Sequence, residues 1–220
     1  MQTKEKTTKI KLLAYSAIFF ALFVCFTLLV AFLGRKTITM SSFTVSATQL
    51  DIAVFSLITP SNAWLLLSEI IGYGAIASAF LISICVAVLF IKTKSLKQIN
   101  RALLCAVVAY VITILFYVLF EFVSINYRPI LIDGELEKSY PSSHFLLSLV
   151  VCFTIDLVLK QKITNKKARV ILSILLTLLA TLVGVGRVLS AMHWVSDVIG
   201  SLLLGLSICF FTKALQVNKN

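Results

Sequence analysis

The chain has 220 residues, a formal net charge of +11 and apolar residues at 60% of its positions, and its mean hydropathy is +1.02. This composition excludes an ordinary soluble globular domain. Lipid offers backbone groups no partner outside a helix or a closed barrel, and the apolar runs lack the alternation of barrel strands. The length favours one domain, residues 1–220. The sequence therefore predicts an all-α, polytopic membrane helix bundle.

About six apolar runs are near the ~20 residues that a membrane-spanning helix needs. They are predicted to cross at about 12–34, 63–91, 102–125, 141–159, 170–187 and 194–212. Residues 1–11 are predicted to be a cytoplasmic tail, because the apolar run after them exceeds the ~7 to 15 residues of a cleaved signal peptide. The run 47–60 is too short to cross, contains Asp51 and ends at Pro60. We expect a short interfacial or re-entrant helix there.

The basic residues predict the orientation. With a cytoplasmic N-terminus, 15 of the 20 Lys and Arg residues lie on the cytoplasmic side, as the positive-inside rule requires, and both termini are then cytoplasmic. Topology and anionic lipid headgroups explain this charge, and no nucleic-acid-binding motif accompanies it, so no nucleic acid partner is expected. The extracytoplasmic side keeps five basic residues: Arg35, Lys36, Arg128, Lys138 and Arg187.

One polar group of residues surrounds His193. Asp197 lies four residues later, so the two residues share a helix face if the helix has begun by His193. A carboxylate bonded to one ring nitrogen leaves the other ring nitrogen basic and nucleophilic. Attack on phosphorus would form a phosphohistidine. Arg187, six residues before His193, would point away on one continuous helix, so we expect a helix to end near Arg187. The alternative is an interfacial polar pair beside a snorkelling arginine.

A second polar group is Pro141-Ser142-Ser143-His144, which has the pattern of a helix start. Serine is a good N-cap, proline is tolerated in the first turn, and the free N–H groups of a helix start bind anions. His144, held over such an anion, could protonate a leaving alkoxide. Upstream, Arg128 offers a bidentate fork for phosphate, and Pro129 stiffens its loop. The alternatives are a plain capped helix with an interfacial histidine and an ordinary loop arginine.

The two groups are expected to meet. Between His144 and His193, which are the only histidines of the chain, the sequence crosses the membrane twice and so returns to the same face. Arg128 lies in the loop that precedes His144. All the candidate groups therefore belong to the extracytoplasmic face, where they could form one site.

At this point the residues resemble the type 2 phosphatidic acid phosphatase superfamily, the integral-membrane lipid phosphate phosphatases. The family pattern is Lys, six residues, Arg-Pro; then Pro-Ser-Gly-His; then Ser-Arg, five residues, His, three residues, Asp. The resemblance covers about residues 47–212, and it implies that this region is the catalytic core and that neither metal nor cofactor is needed. It implies these roles: His193 as nucleophile, Asp197 as its orienting partner, His144 as general acid, and Arg128, Arg187, Ser142 and Ser143 as the phosphate cradle.

Three positions depart from the family pattern. Glu121 stands in place of Lys, Ser143 in place of Gly, and Gly186 in place of Ser. Ser143 still supplies a backbone N–H provided the turn does not demand a positive φ. Glu121 would repel a phosphate unless it pairs with Arg128 or Arg187, and the hypothesis is that it orients one of them, while Lys138 replaces the missing positive charge. The alternative is an interfacial glutamate that faces water.

The sequence therefore predicts a multi-pass cell-membrane hydrolase with an extracytoplasmic active site. Its expected substrate is a lipid phosphate or pyrophosphate, of the polyprenyl pyrophosphate or phosphatidic acid-like class. A phosphotransferase, in which an acceptor other than water takes the phosphoryl group, is the alternative within the same chemistry. A non-catalytic lipid-binding or transport protein on the same scaffold is the alternative from another class, and Glu121 keeps it open.

Overall fold

The structure, a computed structural model, describes residues 2–33, 35–40 and 43–217. The described helices are α1 (Gln2–Phe32), α2 (Gln49–Phe55), α3 (Asn62–Thr93), α4 (Arg101–Phe122), α5 (Ser143–Leu159), α6 (Lys166–Leu189) and α7 (Val195–Gln216), with a short 3-10 turn at Leu96–Gln98. Two antiparallel strands, β1 (Arg35–Met40) and β2 (Phe43–Thr48), lie between α1 and α2. The prediction of a helical membrane bundle is confirmed.

The six predicted spans correspond to α1, α3, α4, α5, α6 and α7. Five of these helices are long and apolar enough to cross a membrane, and α5, with 17 residues, is a shorter apolar helix. The largest difference in boundary is at α1, which begins at Gln2, so the described part of the predicted tail continues the helix. Lys, Glu and Gln are good helix formers and no Gly or Pro interrupts them, which explains the extension.

A β-hairpin and a short helix form a cap at one end of the bundle. The hairpin is an addition to the predicted helices, and its Thr-rich strands have the β-branched composition that favours an extended chain. The predicted short helix near 47–60 is α2, at Gln49–Phe55. Thr48 and Asp51 begin it with a reciprocal capping box, in which each side chain satisfies a free N–H of the other residue. We call residues 35–40 and 43–55 the cap.

The bundle is organised around α5, which packs against α3, α4, α6 and α7, while α1 packs along α7. This central position explains why the shortest span is among the most buried. Ser16 and Ser207 join α1 to α7, because each hydroxyl donates to the other residue's carbonyl oxygen at 2.9 Å. Large apolar side chains cover the outside of the long helices, as expected for surfaces that face lipid.

Replacing Ser207 with Leu should loosen α1 from α7, because it removes the reciprocal bonds and overfills a buried contact. The expected destabilisation is about 1–3 kcal/mol, measured as a lower melting temperature of the purified protein in detergent. Thr181→Leu is the matched control, since Thr181 is exposed on α6 and, within the described part of the chain, its hydroxyl bonds only the Thr177 carbonyl. Equal melting temperatures for the two variants would contradict the packing of α1 on α7.

Candidate active site

Helix ends gather the polar residues at one end of the bundle. His144 lies in the first turn of α5, Arg187 in the last turn of α6, and Asp197 in the first turn of α7. Arg128 lies in the segment that leaves α4. As the spacing predicts, the chain turns between Arg187 and His193, since α6 ends at Leu189 and α7 begins at Val195.

A cavity of about 280 Å³ joins the two histidines. Its polar lining includes Arg128, Lys138, Ser143, His144 and His193. Its apolar lining comes from α3, α4 and α5: Ile76, Ile114, Phe120, Leu146 and Leu147. The two histidines therefore meet at one cavity, as predicted, and the lining of that cavity has a polar part and an apolar part.

The His193 ring is held by a backbone carbonyl as well as by a carboxylate. Its Nδ1 lies 2.9 Å from the Ser139 carbonyl oxygen and 3.4 Å from Asp197 Oδ2. A carbonyl can only accept, so Nδ1 carries the proton and Nε2 keeps its lone pair. Nε2 is buried and has no hydrogen-bond partner among the described residues. The ring therefore presents a basic nitrogen, but its nearer partner is Ser139, which no sequence motif marks.

Asp197 has several partners besides His193. Its Oδ2 accepts the Trp194 backbone N–H at 3.0 Å, and its Oδ1 accepts the Asn126 side-chain N–H at 3.0 Å. Because His193 precedes α7, the four-residue spacing does not act within one helix, and Asp197 also caps the helix start. Asp197 is completely buried, so these donors replace the water that a free carboxylate would bind.

Electrostatics keep His193 neutral. Burial lowers the pKa of His193 well below its ordinary value, and the positive charges of Arg187 and Arg128 lower it further, although the Ser139 carbonyl acts in the opposite direction. A neutral imidazole is the form that can attack an electrophile.

His144 contributes the second free imidazole nitrogen. Its Nε2 has no hydrogen-bond partner in the described part of the chain, and its ring meets the Tyr73 ring edge to face, with centroids 6.1 Å apart. Helix α3 approaches the ring so closely that a Cβ at Gly72 would lie 2.9 Å from His144 Cδ2. A side chain at position 72 would therefore displace the ring.

Both arginines have acidic partners that the sequence analysis did not select. Arg128 Nε pairs with Glu137 at 2.9 Å, and its Nη1 donates to the Met192 carbonyl at 3.1 Å. Arg187 is 1% exposed, and its Nη1 lies 3.7 Å from Glu69 Oε1. That distance is too long for a hydrogen bond, and the Nε and Nη1 atoms of Arg187 have no such partner among the described residues. These N–H groups suit an anion.

The hypothesis that Glu121 orients an arginine differs from the observed pairing. The carboxylates beside Arg128 and Arg187 are those of Glu137 and Glu69, while Glu121 is exposed. Glu121 instead uses its backbone carbonyl to accept from Lys138 Nζ. Lys138 itself lines the cavity, and its replacement of the family's Lys stays a prediction. In the sequence, Glu69 is a carboxylate within a predicted span, and that position alone does not indicate that it pairs with Arg187.

The geometry explains the two other departures from the family pattern. Ser143 lines the cavity as the first residue of α5, and it is not among the described residues with a positive φ, so glycine is not required there. Ser142 is the N-cap, with its side chain buried outside the cavity lining. A Cβ at Gly186 would lie 2.9 Å from Ser68 Cβ and 3.1 Å from the Trp64 carbonyl oxygen. Glycine therefore permits close contact of α6 with α3.

In this membrane helix bundle, two imidazole nitrogens without hydrogen-bond partners among the described residues lie at one cavity, which Arg128 and Lys138 also line, whereas Arg187 is not among the lining residues. The positive charges of Arg128 and Lys138 make the cavity suited to an anionic group. The PAP2 superfamily matches residues 119–220, the part of the chain that holds all of these residues. The predicted resemblance to this superfamily is thereby confirmed. Among the described residues, no group of three or more His, Cys, Asp or Glu is arranged to hold a metal ion.

The fold has a solved counterpart. It is similar to the transmembrane PAP2-type phosphatidylglycerolphosphate phosphatase from Bacillus subtilis, with a TM-score of 0.62 and 22% sequence identity over 90% of this chain and 94% of that one. At this level of identity, the likeness establishes a shared fold. No curated protein sequence matches the chain significantly.

Gly72→Ala should move the His144 ring by about 0.5 Å or more, because ordinary carbon contacts are about 3.5–4.0 Å long. The measurement is the imidazole NMR spectrum of histidine-labelled protein in detergent, in which His144 should shift and broaden. Gly74→Ala is the matched control on the same helix, since a Cβ there meets nothing within 4 Å. An unchanged His144 signal in Gly72→Ala would contradict the close approach of α3.

The neutral state of His193 can be measured in the same way. Its imidazole signal should titrate with a midpoint well below the ordinary value of about 6.5. Because the folded-state pKa is lowered, His193 contributes stability above pH 6.5 that is lost as the pH falls through the lower folded pKa, where the folded protein must take up a buried proton. The assignment uses His144→Asn, which leaves one histidine signal. A midpoint at or above 6.5 would show that the ring is not held in a cationic, buried environment.

Proposed function

We propose that this protein is a membrane phosphatase that removes a phosphate or pyrophosphate from a lipid at the extracytoplasmic face of the cell membrane. The observation that carries the proposal is the pair of unpartnered Nε2 atoms, on His193 and His144, at one cavity that Arg128 also lines. A nucleophile, a proton donor and an anion clamp are the groups that phosphoryl transfer needs. The superfamily match over residues 119–220 supports the same conclusion.

In the proposed reaction, His193 Nε2 attacks phosphorus while the bond from phosphorus to the leaving oxygen breaks. Arg128 and Arg187 balance the charge that spreads over the phosphoryl oxygens. His144 gives its proton to the leaving oxygen, and Asp197 stabilises the charge that develops on the His193 ring. Water then attacks the phosphohistidine and gives its proton to His144, which releases phosphate and restores neutral His193.

The mixed lining of the cavity supports a lipid substrate. Residues from α3, α4 and α5 give it apolar walls next to the polar group, so one molecule with a charged head and a hydrocarbon chain fits both parts. Polyprenyl pyrophosphate and glycerolipid phosphates are the proposed classes, and the solved counterpart, named for phosphatidylglycerolphosphate, adds that lipid to the second class. The positive-inside distribution of Lys and Arg supports the extracytoplasmic face.

The test is phosphate release from these lipids by purified protein in detergent with EDTA present. His193→Ala should lower turnover by about 10³-fold or more, since loss of a nucleophile removes the covalent route. Glu135→Ala, an exposed change in the segment between α4 and α5, is the matched control and should keep full turnover. Acid-quenched protein should carry phosphate on His193.

Other outcomes of this assay contradict the proposal in distinct ways. Phosphate that moves only to a second lipid would indicate a phosphotransferase. Lipid binding without turnover would indicate a binding or transport protein. Activity that EDTA abolishes would overturn the metal-independent route, and equal turnover in His193→Ala would remove His193 as the nucleophile.

A further inference from the structure

Asp51, in the cap, is a buried carboxylate that lies outside the cavity lining. It is 1% exposed and receives four hydrogen bonds: from Ser196 N at 2.8 Å, Ser196 Oγ at 2.8 Å, Thr48 Oγ1 at 2.7 Å and Thr48 N at 3.2 Å. No Lys, Arg or His forms an ion pair with it among the described residues. A buried charge without a cationic partner depends on these donors. Two of them belong to the residue immediately before Asp197.

A chain of hydrogen bonds connects Asp51 to Asp197 through Ser196 and Asn126, and Asp51 determines which group donates in each bond. A carboxylate only accepts, so the Ser196 hydroxyl must point its single proton at Asp51. Ser196 Oγ is then an acceptor for Asn126 Nδ2, which lies 3.1 Å away. That contact fixes which end of the Asn126 amide faces inward, because only the NH2 group can donate to both Ser196 and Asp197. The second bond, from Asn126 Nδ2 to Asp197 Oδ1, is 3.0 Å long.

We propose that Asp51 is a positioning residue for the catalytic pair and acts through Ser196 and Asn126. By fixing the direction of the Ser196 hydroxyl, Asp51 keeps an N–H of Asn126 on Asp197, and so holds the Asp197 carboxylate beside His193. The four residues Asp51, Ser196, Asn126 and Asp197 form the Asp51 relay. Its effect on catalysis rests on the proposed phosphatase function, whereas its effect on the His193 environment does not.

A simpler role for Asp51 predicts different results. Asp51 also accepts the Ser196 backbone N–H in the first turn of α7, and Phe55 of the cap packs on Trp194 with ring centroids 5.4 Å apart. Asp51 could therefore serve only as an anchor between the cap and α7. An anchor acts through stability and through the backbone, and it does not depend on the Ser196 hydroxyl.

The decisive experiment is a set of double-mutant cycles with Asp51→Asn, Ser196→Ala and Asn126→Ala. The asparagine at position 51 has the same shape but can donate to Ser196 Oγ, which turns the Ser196 proton towards Asn126 and sets the Asn126 carbonyl against Asp197. Asp51→Asn should lower kcat by about tenfold or more, the effect of losing a hydrogen bond to a charged group, and leave KM within about twofold. In the Ser196→Ala background, Asp51→Asn should cause no further loss of kcat, because the Ser196 hydroxyl that links Asp51 to Asn126 is absent.

Thr48→Val is the matched control, since it removes a donor to the same carboxylate without touching Ser196 or Asn126. It should keep kcat, even where it lowers the melting temperature. Loss of kcat in Thr48→Val as large as in Asp51→Asn would support the anchor and overturn the relay. Multiplicative losses in the Asp51 and Ser196 cycle would also overturn it. If Asp51→Asn does not fold, the cycle of Ser196→Ala with Asn126→Ala decides, because the relay requires the double variant to match Asn126→Ala.

Failure of the proposed function is recognised separately. If the wild-type protein turns over none of the lipid phosphates, the relay is judged by the imidazole NMR signal of His193. Asp51→Asn should shift that signal, and it should add no shift in the Ser196→Ala background. Additive shifts, or an unmoved signal in Asp51→Asn, would overturn the relay whatever the protein's activity.

Discussion

The site depends on one carbonyl oxygen, that of Arg187, which accepts the backbone N–H groups of both Met192 and His193 at 3.1 Å. These bonds close the turn between α6 and α7 and satisfy polar groups that lipid would leave without partners. On a continuous helix, a six-residue spacing would set the Arg187 and His193 side chains on different faces. The turn brings them together, and Arg128 strengthens it by donating to the Met192 carbonyl.

A cationic site inside a helix bundle must hold its positive charge without destabilising the fold. A buried guanidinium with no counter-charge costs several kcal/mol, and Glu69 and Glu137 reduce that cost for Arg187 and Arg128. The two pairs differ, since Glu137 touches Arg128 at 2.9 Å while Glu69 remains 3.7 Å from Arg187. The looser pair balances charge without using the N–H groups of Arg187. An arriving anion can therefore bind Arg187 without first breaking a hydrogen bond.

The sequence predicts the helical spans and the convergence of His144 and His193, which both line one cavity. Two histidines in an apolar chain, with arginine and aspartate at fixed spacings, predict a site because few structural roles need those residue types there. The partners Ser139, Glu69 and Asn126 could not be found in this way. Ser139 acts through its backbone carbonyl, which every residue has, and Glu69 and Asn126 act across elements far apart in sequence, where only the packing of α3 and of the segment before Arg128 decides the contact.

Position 121 shows that side-chain identity alone does not predict the charge next to the cavity. Glu121 at the family's Lys position indicates a loss of positive charge. A residue also contributes its backbone carbonyl, however, and that group does not depend on the side chain. The carboxylate of Glu121 lies exposed while its carbonyl oxygen binds Lys138, which lines the cavity. A positive charge next to the cavity is thus placed by the segment between α4 and α5, although position 121, at the end of α4, holds a carboxylate.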